Sequence, residues 1–156
     1  MQLWRICRDR WAASAFDGEG ARVTGGRCNH KGDAAVYSSS SLALAALELF
    51  VHLDPSEMPD DLVSLALHVP DDVSSRRVDT SDLPRNWREY PAPERLKDIG
   101  SEWRRTGGEL LLIVPSAVVP LEHNVLINPA HPEFAHCTAG PPVPFHFDPR
   151  MWKQAD

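Results

Sequence analysis

Residues 34–53 read AAVYSSSSLALAALELFVHL, and this stretch decides the fold class. Residues 34–38 are short, small and β-branched or aromatic toward the end, which predicts a strand. The serines that follow supply an N-cap, because a serine hydroxyl accepts from the free backbone N–H groups of a first helical turn. Leu42, Ala45, Ala46, Leu49, Phe50 and Leu53 then recur at helical spacing, which predicts an amphipathic helix over 42–53, stopped before Pro55. Glu48 falls outside that apolar stripe and shares a face with Ser41, Leu44 and His52. A strand feeding directly into a helix excludes neither α/β nor α+β, so the flanks decide.

Working outward, residues 1–7 alternate weakly and predict a first strand. Residues 17–32 hold five glycines, Gly18, Gly20, Gly25, Gly26 and Gly32, and predict a long ordered loop whose backbone can approach other groups closely. Toward the C-terminus, 62–69 predicts a half-buried strand and 84–93 an irregular segment. Residues 94–105 predict a second helix that buries Leu96, Ile99 and Trp103 and ends at Gly107-Gly108. The apolar run 110–114 predicts a central strand that bends at Pro115-Ser116, since a proline disfavours helical angles in the residue before it. Short strands are expected at 125–128 and 143–147. The sum is an α+β chain, one domain over residues 1–156, with more strand than helix.

Composition narrows the class further. Hydrophobic residues make up 42% and charged residues 24%, enough apolar material for a core in a chain of 156 residues. The net charge of −6 argues against nucleic-acid binding, which needs a basic face. No apolar run approaches the roughly 18 residues of a membrane span, and the N-terminus has no apolar stretch of leader length. Cys7, Cys28 and Cys137 are odd in number and widely spaced, which fits a reducing compartment. A cytoplasmic protein is expected, with no membrane or nucleic-acid partner.

Common site chemistries fail on their spacing. Gly18-Glu19-Gly20 opens like a dinucleotide loop, but Val23 occupies the place of the third glycine. Gly20 to Gly25 has phosphate-loop spacing, but Gly26-Arg27 follows where lysine and then serine or threonine are required. Cys28 with His30, and His131 with His136 and Cys137, are ligand types without a metal-binding spacing, so no metal is expected. No nucleophile elbow surrounds any serine, and five tryptophans are more often core than a stacking platform. What remains is a set of polar residues at element ends: Arg27 after the glycine loop, Tyr37 at a strand end, Glu48 on the helix, Ser116 and Asn128 at later strand ends. An arginine fork suits an oxyanion, and a lone carboxylate beside it can stabilise a positive sugar-like transition state. By residue chemistry alone this is one of several readings, since each member also fits a structural role.

These same residues carry a resemblance. The chain resembles RES-domain proteins, the toxins of bacterial RES–Xre toxin–antitoxin pairs, a family named for an arginine, a glutamate and a serine. The matching stretches are Leu3-Trp4-Arg5, Gly25-Gly26-Arg27 with Asn29 and Gly32, Val36-Tyr37-Ser38, and the helix carrying Glu48. Further on come Leu83-Pro84 with Trp87, Ile99-Gly100 with Trp103, Val114-Pro115-Ser116-Ala117, and Asn124 to Asn128 with Pro129 and His131-Pro132. They run in order over nearly the whole chain. One position departs: Cys28 stands where the family usually has an aromatic, which implies a looser loop or an altered pocket.

The resemblance implies a fold like that of ADP-ribosyltransferase toxins, with a split, twisted sheet, flanking helices and a cleft for NAD+. It implies NAD+ as substrate, consumed by cleavage of the nicotinamide–ribose bond with water or inorganic phosphate as acceptor, and a cognate Xre-type antitoxin that blocks the cleft. On this basis Arg27 clamps the pyrophosphate and Arg5 adds a second positive contact. Tyr37 stacks on or orients the nicotinamide end, Glu48 stabilises the ribose charge, Ser116 positions ribose or Glu48, and Asn128 is a pocket contact or structural. Because the substrate is anionic and the protein acidic, the cleft should be locally positive, with Arg5, Arg22, Arg27 and Lys31 as candidates. Two other outcomes share these residues: transfer of ADP-ribose to a protein, and a catalytically silent antitoxin-binding module. A metal-dependent hydrolase built on the histidines is a third alternative.

Overall fold

The computed structural model describes residues 1–152. Eight strands form one sheet: β1 (Gln2–Arg8), β2 (Val36–Ser39), β3 (Leu62–His68), β4 (Ser75–Arg77), β5 (Leu111–Pro115), β6 (His123–Ile127), β7 (Thr138–Ala139) and β8 (Val143–Pro144). Their order is β4-β5-β6-β2-β1-β3-β7, with β8 also on β3. Every pairing is antiparallel except β4 with β5. Three α-helices, α1 (Glu19–Thr24), α2 (Leu42–Phe50) and α3 (Glu94–Thr106), and several 3-10 turns flank it. Counting those turns, helix outweighs strand, contrary to expectation, while the α+β split-sheet architecture holds. No helix among the described residues is long and apolar enough to cross a membrane.

The alternation of side chains builds two cores. On β5 and β6, Leu111, Val125 and Ile127 face one core with Leu3, Val36 and Leu67. Leu112, Val114 and Leu126 face the other, against Ile99 and the fully buried Trp103 of α3. Strands buried on both faces read as continuous apolar runs, and the LLLIV run is such a strand.

The sheet is split in its middle. β1 follows β3 over seven register pairs, from Gln2↔His68 to Arg8↔Leu62, yet it meets β2 at only one, Trp4↔Ser39. Beyond that point the Arg5 guanidinium spans the gap, donating from Nη1 to the Tyr37 carbonyl at 2.8 Å.

Element boundaries moved where glycine and helix phase were involved. The 17–32 loop contains α1: Gly18, at φ +74°, and Gly25, at φ +73°, punctuate its two ends. Asp17 Oδ1 accepts from the Glu19 N–H at 2.8 Å, capping the first turn. The serine cap of α2 is as expected, with Ser41 Oγ accepting from the Leu44 N–H at 3.1 Å. The buried face of α2 meets the expected stripe only at Ala45, however. Leu44 and Ala45 are its buried residues, so the Leu44–Glu48 face turns toward the sheet.

The glycine loop docks on α3 by backbone contact. A Cβ at Gly100 would lie 1.7 Å from the Cys28 carbonyl oxygen, so the loop and the helix meet at a separation no side chain allows. His30 N–H donates to Ser101 Oγ at 2.9 Å beside it. Cys28 is buried in the second core, so its presence in place of an aromatic does not free the loop. A cavity of about 20 Å³ lies alongside, walled by Val78, Leu83, Trp87 and Ile99, room for about one water.

Gly100→Ala should destabilise the fold by about 3 kcal/mol through overpacking, read as a drop in the urea midpoint. The pH dependence of stability has a definite sign. Burial pushes the Cys28 thiol up to about 12 and raises the Tyr37 phenol above its usual range. Both fold in the neutral form, so their contribution is complete below an ordinary thiol pKa of about 8.5 and is lost as pH rises toward the folded values. Stability should therefore fall from about pH 8 to about pH 11, with a shallower slope in Cys28→Ala.

Candidate functional site

A cleft of about 850 Å³ opens at the split between β1 and β2. β1 contributes Arg5 and Cys7, β2 contributes Tyr37 and Ser39, the glycine loop contributes Arg27, and α2 contributes Glu48 and His52. Trp11, 55% exposed, stands at its wall.

Glu48 is held from two sides on one oxygen. Ser116 Oγ donates to Glu48 Oε1 at 2.6 Å, and Asn124 Nδ2 donates to the same atom. Ser116 is fully buried. Its oxygen accepts from the Val118 and Val119 N–H groups at 3.1 and 2.9 Å. The expected bend after Pro115 is what turns this hydroxyl onto Glu48 rather than into the open cleft. Asn124 was not foreseen, because the strand was expected to begin at residue 125. A signal existed: Asn124 shares the strand face of Leu126, and a polar residue on the inward face of a strand needs a partner.

Arg27 and Tyr37 belong to the loop as well as to the cleft. Arg27 donates from Nη1 to the Trp87 carbonyl at 2.8 Å and from Nη2 to the Glu89 carbonyl at 3.2 Å. These neutral acceptors orient the fork and leave its charge uncompensated. Tyr37 Oη donates to Asn29 Oδ1 at 2.7 Å and accepts from the Cys28 N–H at 2.9 Å. Its hydroxyl is thus committed to the loop, and burial holds it neutral. Asn29, buried, completes the knot, its Nδ2 sharing two protons among the Ala21, His30 and Asp33 carbonyls.

Arg5 is the deepest cation. It makes no salt bridge among the described residues, and its Nε is buried without a partner. Burial lowers its pKa from the usual guanidinium value, but a guanidinium remains charged in proteins.

Asn128 takes the structural one of its two expected places, and one other expectation is corrected. Asn128 is 2% exposed, does not line the cleft, and turns its Oδ1 to the Ala130 N–H at 3.1 Å; it shapes the turn before Pro129. The positive patch is smaller than expected. Arg22 is paired with Glu19 at 2.6 Å on the surface, and neither it nor Lys31 lines the cleft, which carries Arg5 and Arg27 beside Asp17, Glu19 and Glu48. Two of the histidines considered as metal ligands take other places: His30 Nε2 lies 2.9 Å from Asp98, and His131 Nδ1 accepts from the Glu133 N–H. Among the described residues no three His, Cys, Asp or Glu side chains come together as metal ligands.

Comparison with known proteins bears on the fold and the family. The fold is similar to that of a chain in the crystal structure of the M. tuberculosis MbcT–MbcA toxin–antitoxin complex, with a TM-score of 0.71, 15% identity, and coverage of 92% of this chain and 83% of that one. A curated relative from Yersinia enterocolitica, Toxin Res, is 42% identical over 97% of this chain and 99% of its own length. Another from Sphingobium, the Prs ADP-ribosylating toxin, is 42% identical over 98% of both. Residues 2–148 match the RES domain, a span that includes Arg5, Arg27, Tyr37, Glu48 and Ser116, and the chain belongs to the RES-domain toxin family.

Proposed function

We propose that the chain is the toxin of a toxin–antitoxin pair and acts in the cytoplasm by cleaving the nicotinamide–ribose bond of NAD+. The observation that carries this reading is the Glu48 carboxylate, anchored on Ser116 and Asn124 in a cleft that also presents Arg5 and Arg27. The cleft's size lies in the range of small-ligand sites, roughly 300–1,000 Å³.

In this reading Arg27 and Arg5 receive the pyrophosphate, each as a charged donor that makes no salt bridge among the described residues. The ring of Tyr37 walls the nicotinamide end. Glu48 accepts from a ribose hydroxyl and opposes the positive charge that grows on the ribose carbon as the bond breaks. Nicotinamide takes the bonding electron pair and departs neutral, because it is cationic in NAD+. Water then adds to the ribose carbon and loses a proton, giving ADP-ribose. With inorganic phosphate as acceptor the product is ADP-ribose 1″-phosphate. No residue is asked to protonate the leaving group, so the site needs a carboxylate and cations rather than an acid–base pair.

The partner is an Xre-type antitoxin seated over the cleft, a role supported by the fold's likeness to a chain of a toxin–antitoxin complex. A second reading, transfer of ADP-ribose to a protein, is favoured by the name of the Sphingobium relative. It uses the same bond cleavage with a protein side chain in place of water.

Purified protein should release nicotinamide from NAD+, and the mass of the ribosyl product, with and without phosphate, names the acceptor. Arg27→Ala should lower kcat/KM by about 100-fold with the fold intact, and Glu48→Gln should lower kcat by about 100-fold with KM little changed. Full turnover by Glu48→Gln would overturn the role of the carboxylate. Labelled NAD+ leaving its label on protein in a cell extract, with no loss to water or phosphate, would select the second reading.

A further inference from the structure

We propose that Asn124 is a positioning residue that decides which oxygen of Glu48 meets the substrate. The proposal rests on the reading of Glu48 given above. Asn124 lies on β6 directly opposite Ser39 of β2 and Val114 of β5, so its place is set by sheet register rather than by a loop.

Its amide can face only one way. Ser39, 3% exposed, donates from Oγ to Asn124 Oδ1 at 2.7 Å. That leaves Nδ2 to point at Glu48 Oε1. A flipped amide would set its carbonyl against a carboxylate and abandon the serine's proton.

Ser116 is equally constrained. Its oxygen accepts two backbone N–H groups, so its single proton goes to Glu48 Oε1. One hydrogen bond would fix a point on the carboxylate and leave its plane free to swing, because the terminal torsion of glutamate is soft. The second donor fixes the plane. Oε1 is then saturated by protein donors, while Oε2 has none among the described residues. In the cleft, Oε2 is the oxygen presented to a ribose hydroxyl.

The chain Ser39–Asn124–Glu48 therefore converts strand register into the orientation of one carboxylate. Its contribution belongs to kcat, since it orders the reacting group without adding a contact to the ground-state substrate.

The test pairs kinetics with a readout independent of activity. Asn124→Ala should lower kcat for nicotinamide release by about 30-fold with KM within about threefold of wild type. Asn124→Asp, which keeps the side-chain shape but replaces the donor with a second carboxylate, should lower kcat by about 100-fold or more. Ser39→Ala, which frees the amide to turn, should cost about fivefold. Melting curves of the three variants check that the fold survives; if Asn124→Ala does not fold, the isosteric Asn124→Asp carries the comparison. In 15N-labelled protein, the Asn124 side-chain amide should give one proton resonance displaced downfield, and Glu48→Ala should return it to the ordinary position. Wild-type kcat in both Asn124 variants, or a loss confined to KM, would overturn the proposal. So would an Asn124 amide signal indifferent to Glu48→Ala. A wild-type protein that releases no nicotinamide would instead remove the NAD+ reading, with the amide signal still deciding whether Asn124 orients Glu48.

Discussion

The pairing of Trp4 with Ser39 is the constraint on which the rest depends. A continuous β1–β2 ladder would close the sheet, and a closed sheet has no room for a ligand between its strands. Joined at one residue pair, the two halves remain one sheet with a shared core while a cleft opens beside the joint. Ser39, at that joint, is also the residue that sets the Asn124 amide. The joint therefore separates the halves and orients the carboxylate with the same few atoms.

The cost of the split falls on Arg5. A guanidinium buried without a counter-ion is unfavourable, and the Tyr37 carbonyl compensates it only in part. Arg27 shows the same arrangement nearer the surface, with backbone carbonyls holding the fork but no carboxylate neutralising it. Neutral acceptors fix an arginine's direction and preserve its charge, which is what an anion site requires. A protein of net charge −6 thus holds two arginines in a cleft that also carries Asp17, Glu19 and Glu48. Neither arginine is tied up in a salt bridge among the described residues.

Much of this was legible in the sequence. The Ser41 cap, the buried Trp103 face of α3 and the apolar β5 all follow from local pattern. Arg27, Glu48 and Ser116 follow from the family resemblance, and the geometry brings Glu48 and Ser116 into contact. Other features were not local. The face of α2 that packs is set by the sheet beneath it, so Leu44 is buried despite lying off the main stripe. The glycines of 17–32 signalled a loop, but two of them mark the ends of α1. Asn128 and Asn124 look alike as asparagines in NVLIN, and only strand register shows that the first residue reaches Glu48 while the last turns back on its own backbone. Tyr37 was expected to stack on or orient a ligand; its hydroxyl ties down the loop, and its residue lines the cleft.

The contact between Gly100 and the Cys28 carbonyl has a consequence for how the site tolerates change. Gly100 meets the backbone of residue 28, so that one contact is indifferent to the side chain there, while the Cys28 side chain itself packs with Ile99 and Trp103 of the same helix. The side chain at position 28 is limited instead by the core around it, where the cavity of about 20 Å³ alongside leaves room for about one water. Position 100 tolerates no side chain at all. The pair divides the work: a bare backbone on the helix preserves the placement of Arg27, while the next residue along joins the core to the wall of the cleft.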